Sequence, residues 1–338
     1  MLYSDFLVRD VRGNIIEKLK ISKLCFGSLC MGPLQSRLFV REGAEVIGRA
    51  VSMGVNFIDT AQIYKTYPYI KAALEKTRER IFISTKTYAH TRELAARALD
   101  EALCGLGRDQ IDIFLLHEQE SIHTIRGHIE ALEYLFRQKQ EGVIKAVGIS
   151  THHVAGVWGA IEFNRTGGGY KLDVIHAMYN MAGLGIIPDK TKEGESAVSQ
   201  METALSEAKK NGFFIFSMKA LGGGNLFSQA EKALGFSLSK PFIDSIAVGM
   251  KSGSEVLANV NFFETGKFNA EYYEDYKKTA EKKRLHIDGW CEGCGECVKI
   301  CPAGALKILK NKAVCEQADC VLCGYCSGAC GCFAIKII

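Results

Sequence analysis

Four side chains of this 338-residue chain have the types needed to work together on an oxygen bound to carbon: Asp59, Tyr64, Lys86 and His117. A tyrosine is a poor acid at neutral pH, with an ordinary pKa of about 10. A lysine ammonium beside it favours the phenolate, and an aspartate keeps that lysine charged and in place. A histidine can orient a carbonyl or share its proton. Such a set protonates or deprotonates an oxygen while reducing equivalents arrive from elsewhere, which is carbonyl/alcohol oxidoreduction. Taken singly, each residue has a plainer reading as a helix cap, a packing aromatic or a satisfied polar group at a rim. The joint placement is what carries the chemistry.

That placement comes from the elements around the four residues. Short apolar runs predict strands at KLCFG (23–27), VNFID (55–59), IFISTK (81–86), IDIFLLH (111–117), IKAVGIS (144–150), LDVIHAM (172–178), FFIFSMK (213–219) and DSIAVG (244–249). Amphipathic stretches such as RELAARALDEALCGLG and AVSQMETALSEAKKNG lie between them and end in glycine, a common helix stop. Eight β/α units in about 240 residues predict a (β/α)8 TIM barrel, an α/β fold. A doubly wound sheet would want a glycine-rich fingerprint after its first strand, and GSLCMG (27–32) is not one. A strand–turn–strand around Arg12-Gly13-Asn14 predicts a hairpin ahead of the barrel. In such a barrel the chemistry sits at the C-terminal ends of the strands. The second strand ends at Asp59, with Tyr64 following; the third ends at Lys86, the fourth at His117, the fifth at Ser150 and Thr151.

The thirteen cysteines divide unevenly, with ten of them between Cys291 and Cys332. The N-terminus, MLYSDFLVRDVRG, lacks the apolar core of a signal peptide, which makes a cytoplasmic location the expectation. Cysteines crowded in such a chain argue for metal over disulfides. The tail reads Cys291-x2-Cys294-x2-Cys297-x3-Cys301-Pro302 and then Cys320-x2-Cys323-x2-Cys326-x3-Cys330-Gly331. Each cysteine of the first run has a counterpart 29 residues later, and CPAGALKI (301–308) is echoed by CGCFAIKI (330–337). The segment is an internal duplication. Three thiolates from one short run can cap three corners of an iron–sulfur cubane, with the fourth ligand drawn from the other run. A structural zinc site is the plainer alternative, but it does not need a four-cysteine run ending in Cys-Pro and repeated with its flanks. Cys315 and Cys332 are left over and read as small buried residues.

Residues 286–338 resemble the two-cluster bacterial ferredoxins. Carried over by position, the resemblance implies one [4Fe–4S] cluster on Cys291, Cys294, Cys297 and Cys330, and a second on Cys301, Cys320, Cys323 and Cys326. Over roughly residues 1–262, GVNFIDTAQIY (54–64), STK (84–86), FLLH (114–117) and VGIS (147–150) resemble the aldo-keto reductase family. That resemblance implies a catalytic tetrad of Asp59, Tyr64, Lys86 and His117, with Tyr64 the general acid. It implies a nicotinamide end at Ser150, Thr151, His176 and Met218, altered from the family's Ser, Asn, Gln and stacking Tyr. It also implies a phosphate region at Gly249, Lys251 and Ser252, with Asn259 on the following helix. Lys251 and Ser252 suit a phosphate near a helix start. Glu255 stands where an arginine often grips the 2′-phosphate, which weakens NADP against NAD. The expected division is a barrel over 1–265, a helical linker over 266–285 and a small ferredoxin-like α+β domain over 286–338.

The formal charge of +4 is too weak and dispersed for nucleic acid, and no run of about 18 apolar residues suggests a membrane span. The expected partners are a small-molecule carbonyl or alcohol substrate and a redox partner protein. The alternatives are an electron carrier or docking protein whose barrel is a scaffold, and one-electron reduction driven by the clusters without nicotinamide. A nicotinamide gives two electrons as a hydride, whereas a [4Fe–4S] cluster passes one at a time; a flavin is the usual adapter, and a flavin in the altered pocket is a further option. The sequence reading favours NADP or NAD in the barrel, because the Lys251-Ser252 site persists. The glycine triplets Gly167–Gly169 and Gly222–Gly224 are read as loop flexibility; the second, after the seventh strand, could also let a phosphate or substrate approach the backbone, and the first is a plain loop.

Overall fold

The computed structural model describes residues 2–337 except 167, 190, 193, 281–283 and 332–333. Cys332, Gly167, Lys282 and Lys283 therefore lie outside the described residues. The chain opens with a hairpin, β1 (Tyr3–Arg9) against β2 (Ile15–Ser22), turning at Gly13 with φ of 91°. Eight parallel strands follow: β3 (Leu24–Gly27), β4 (Phe57–Asp59), β5 (Phe82–Thr87), β6 (Ile111–Leu116), β7 (Ile144–Thr151), β8 (Val174–Met178), β9 (Phe214–Met218) and β10 (Ser245–Gly249). They close in the order β10-β3-β4-β5-β6-β7-β8-β9, a complete barrel without free edges. All eight predicted strands and the hairpin are present, each within a residue or two of the expected bounds.

Two apolar layers build the barrel. Inside it, Cys25, Phe57, Phe82, Ile113, Leu115, Ala146, Val174, Phe214 and Phe216 fill the bore, and the hairpin's Phe6, Val8 and Ile21 pack onto their lower end. Phe6 meets Phe214 edge-to-face at 4.9 Å. Outside it, a larger layer of Leu, Ile, Val and Ala joins strands to helices. The helix Arg92–Leu106 shows how the sequence sets the bounds: Thr91 accepts from the Leu94 amide at its start, and Gly107 ends it in the left-handed region with φ of 64°. Plugging the lower end leaves the C-terminal mouth as the place for polar side chains.

A helix over Ala270–Ala280 runs back along the barrel. Its Tyr276 is buried against Phe227, Ala230 and Ala258. The duplicated tail then forms two small antiparallel pairs, β11 (Leu285–Ile287) with β14 (Ile335–Ile337) and β12 (Leu306–Leu309) with β13 (Lys312–Cys315). Short helices at Glu296–Lys299 and Tyr325–Ala329 occupy mirrored positions in the two halves. Among the described residues no helix is long and apolar enough to cross a membrane.

Candidate active site

At the barrel mouth, β4, β5 and β6 bring three of the four candidate residues together, and the turn after β4 brings the fourth. Lys86 is fully buried. Its ammonium donates to both Asp59 oxygens, at 2.8 and 2.7 Å, and to the Thr60 carbonyl at 2.6 Å. Those three bonds use all three ammonium hydrogens. The nitrogen lies 5.0 Å from the Tyr64 ring centroid, over its face. His117 meets Tyr64 edge-on, with centroids 5.8 Å apart. Burial pushes Asp59 up and Lys86 down, each offset by the partner; contact this close, with every ammonium hydrogen placed, keeps the pair ionised.

The tyrosine behaves differently from the sequence expectation. Burial first, then the Asp59 and Glu118 carboxylates, hold the Tyr64 hydroxyl well above its ordinary value. Lys86 does not reach that hydroxyl, since its hydrogens are spent elsewhere. The resting tyrosine is therefore a protonated donor and not a poised phenolate. Burial and Lys86 push His117 well below the usual range, so its ring is neutral.

Beside Asp59 and Tyr64 lies a cavity of about 160 Å3, also lined by Gly27, His176, Met218 and Gly249. His176 stacks on Phe216 at 3.8 Å, and its Nδ1 is 3.7 Å from Asp59 Oδ1. Neither ring nitrogen of His176 has a hydrogen-bond partner among the described residues. Of the other expected cofactor residues, Ser150 accepts from the Glu118 amide at 2.9 Å, and Thr151 closes its own turn through His153. Neither lines the cavity. Asn259 is buried and donates to the Glu255 carbonyl on its own helix.

Lys251 and Ser252 do sit at a helix start, before Gly253–Thr265. That start is turned on itself. Ser252 Oγ accepts from the Glu255 amide at 3.2 Å, and Glu255 Oε2 accepts from the Lys251 amide at 2.7 Å. Glu255 is itself buried, and it lines the cavity together with Tyr276. A dinucleotide phosphate placed here would meet the Glu255 carboxylate and find the Lys251 and Glu255 amides already bonded, a poor fit for that group.

The tail covers this mouth. Val321 and Leu322 complete the cavity wall. Gln35 donates to the Leu322 carbonyl at 2.6 Å, Lys219 to the Val321 carbonyl at 3.2 Å, and Asn225 to the Cys320 carbonyl at 2.7 Å. Gly223, with φ of 70°, is the point of closest approach: a Cβ there would stand 2.1 Å from Val321 O. The room that the sequence reading assigned to a phosphate or substrate is taken by the protein's own backbone. Tyr325 enters the site itself, packing on Ala61 and Tyr64, with its hydroxyl 3.3 Å from His117 Nε2.

Two small cavities lie within the tail. One is ringed by Cys291, Cys294, Cys297 and Cys330, the other by Cys301, Cys320, Cys323 and Cys326. No disulfide joins these thiols. The amides of Ala313 and Ala334 point at Cys291 and Cys330 sulfur, at 3.4 and 3.3 Å. Among the described residues no three His, Cys, Asp or Glu close on a point that would hold one metal ion. Four thiols spread around a void suit a multi-atom cluster. Cys315 is half-buried outside both rings, its thiol pushed up to about 12 by burial and by Cys320.

Tyr88, Glu118, Tyr276 and Tyr325 were not singled out from sequence. Tyr325 alone carried a signal: it stands where the first cysteine run has Glu296.

Comparison with known proteins agrees with this architecture. Residues 23–232 match the profile of the aldo/keto reductase family, and residues 286–307 that of a 4Fe-4S binding domain. The chain is similar to methylglyoxal reductase DkgA of Escherichia coli (strain K12), 32% identical over 114 residues, covering 32% of this chain and 41% of that protein. It is also similar to the NADPH-dependent alpha-keto amide reductase of Saccharomyces cerevisiae, 33% identical over 108 residues, covering 30% and 35%. The chain thus spans about two fifths of the length of these curated relatives. Among solved structures, aldo-keto reductase AKR11C1 from Bacillus halodurans (holo form) superposes with a TM-score of 0.59 at 20% identity, covering 82% of this chain and 96% of that one. An aldo/keto reductase from Brucella melitensis gives 0.55 at 17% identity, covering 81% and 99%. At those identities the likeness is one of fold.

Proposed function

Since the chain belongs to the aldo/keto reductase family, we propose that its barrel reduces a small carbonyl compound to the alcohol, with Tyr64 as the proton donor and two [4Fe–4S] clusters in the tail. The observation that carries this reading is the Lys86 ammonium, locked on Asp59 and Thr60, facing the Tyr64 ring with His117 at its edge. When Tyr64 gives its proton to the substrate oxygen, the phenolate forms over a fixed positive charge in a dry site, where charge–charge attraction is strong. Asp59 holds that charge in place, and the neutral His117 orients the oxygen. His176 offers a ring nitrogen to a second polar group in the cavity, which satisfies an otherwise unpaired buried atom. At about 160 Å3 the cavity suits a small substrate and is below the usual 300–1,000 Å3 of pockets for larger ligands.

The rings of Cys291, Cys294, Cys297, Cys330 and of Cys301, Cys320, Cys323, Cys326 would hold the clusters. A bound [4Fe–4S] cluster supplies electrons one at a time. The reading takes the two electrons of each reduction from a low-potential one-electron donor protein, which the clusters would relay, with one proton given to oxygen by Tyr64 and a second given to carbon from water, so that the carbonyl gains two electrons and two protons. It is supported by Cys323 packing beside Tyr64 and by the closed helix start at Lys251. A nicotinamide in the barrel is the second reading, favoured by the yeast relative, which is NADPH-dependent.

The test is anaerobic purification of the full chain with iron and sulfide analysis, then methylglyoxal reduction with dithionite-reduced viologen, NADPH or NADH. About eight iron and eight sulfide per chain are expected, with turnover on viologen. Tyr64→Phe removes the acid and little volume, and should lower kcat roughly 10²–10⁴-fold. An unchanged kcat removes Tyr64 from the mechanism, and zinc without a brown chromophore removes the clusters.

A further inference from the structure

The mouth of a β/α barrel is normally walled by its own βα loops. Here part of the wall comes from outside the barrel. Val321 and Leu322 line the cavity, and Tyr325 packs on Tyr64, which lines it too. The Tyr325 hydroxyl lies 3.3 Å from His117 Nε2. Its ring packs on Tyr64 and meets the His117 ring edge-on, with centroids 6.4 Å apart. Tyr88 stacks on His117 at 4.4 Å and donates to Glu118 at 2.6 Å. A packing contact with Tyr64 and a hydrogen bond to His117 thus tie the two barrel residues that would touch a substrate oxygen to one residue of the tail.

We propose that Tyr325 is a positioning residue of the barrel's active site, and that Val321 and Leu322 form the part of the wall that restricts the site to small carbonyl substrates. This deepens the reading of the barrel as a carbonyl reductase and rests on it. The physical need is plain. Tyr64 is pinned by no hydrogen bond from Lys86, whose three hydrogens go elsewhere. An acid that swings by an ångström loses much of its advantage. Tyr325 confines it by packing on its ring and by holding His117, which stands at that ring's edge. It does so from a backbone that cannot shift freely: a Cβ at Gly324, which has φ of 85°, would stand 2.6 Å from Leu34 O, as Gly223 allows the approach of Val321. The segment from Cys320 to Cys326 also carries three of the four thiols of one ring, so whatever orders that ring also sets Tyr325.

The experiment uses the full chain with clusters reconstituted anaerobically. Tyr325→Phe keeps the ring and removes the hydroxyl. Its kcat for methylglyoxal should fall roughly 10–100-fold with KM within about threefold, while iron, sulfide and the cluster spectrum stay at parent levels. The ¹⁵N resonance of His117 should move in the same variant. Leu322→Ala opens the wall, and should raise the preference for phenylglyoxal over methylglyoxal. Parent-like kcat, size preference and His117 resonance in the variants would overturn the proposal. A rise in kcat for Tyr325→Phe would also overturn it, by making the tyrosine a plug. If Tyr64→Phe lowers turnover while Tyr325→Phe leaves it at the parent level, the positioning role falls and the reductase reading stands. If the parent reduces no carbonyl, the reductase reading falls, and an unmoved His117 resonance removes Tyr325 from the site as well.

Discussion

The two halves of the tail have the same cysteine spacing but different surroundings. The first run reads Cys-Glu-Gly-Cys-Gly-Glu-Cys from Cys291, the second Cys-Val-Leu-Cys-Gly-Tyr-Cys from Cys320. In the first, Glu292, Cys294 and Glu296 are exposed; in the second, Val321, Leu322 and Tyr325 are buried against the barrel. Duplication gave two equal sulfur rings, and the side chains between the sulfurs made one outward-facing and one inward-facing. A charged residue left in the second loop would have been buried without a partner at the barrel mouth, at a cost of several kcal/mol. On the proposed reading, the difference would set a direction: electrons would enter where Cys294 meets solvent and leave where Cys323 packs beside Tyr64.

The largest expected effect breaks that symmetry outright. Cys323→Ala should cost about half the iron and abolish viologen-driven reduction, because the ring beside Tyr64 is gone. Cys294→Ala should cost a similar share of iron, yet leave turnover with a small diffusible donor within about tenfold, since such a donor can reach the remaining ring. Iron analysis and donor-linked rates on the two variants decide it. Loss of turnover in Cys294→Ala with retention in Cys323→Ala would reverse the direction.

Much of this was legible in the sequence, and what was not has a physical reason. The strands were readable because strands such as β5 and β6 are buried on both faces and open on apolar residues, Phe82-Ile83 and Ile111. Asp59, Lys86 and His117 were readable because they are polar residues at the ends of those runs. The sulfur rings were readable from spacing, and each of the two cavities is lined by the four cysteines expected for it. Tyr325 was not readable as a partner of His117, which is 208 positions away, because nothing local records how a tail docks on a barrel. The closed helix start was missed for a related reason. Ser252 and Lys251 are the right residue types for a phosphate, but whether their amides are free depends on where the Glu255 side chain turns.

A smaller effect separates the barrel site from ordinary histidine chemistry. Burial, and then Lys86, push His117 well below the range in which an imidazole usually titrates. A lowered folded-state pKa means that the ring stays neutral as pH falls from about 8 to 6, a window that would charge an exposed histidine. The kcat profile for carbonyl reduction should therefore be flat across that window. A limb near pH 6.5 that vanishes in His117→Asn would show that the ring titrates there, and would place it in a wetter setting than the one beneath Tyr325.

The smallest expected effect tests whether the groove near Tyr276 serves a nucleotide at all. A phosphate held by Lys251 would gain a charge-assisted bond, and removing such a bond commonly costs a tenfold or greater loss of affinity. The geometry argues for much less. The Lys251 amide is bonded by Glu255, a carboxylate faces the cavity, and Tyr276 lines the wall beside it. Lys251→Ala should change NADPH or NADH affinity by less than about threefold, as read by calorimetry on the anaerobic protein. Glu255→Gln removes the repelling charge and should strengthen NADPH binding more than Lys251→Ala weakens it. Saturable micromolar binding in the parent that falls more than tenfold in Lys251→Ala would mean that Glu255 swings away to admit the phosphate. The two-electron donor would then sit in the barrel, and the inward-facing ring would serve to accept electrons from it or to hold Tyr325.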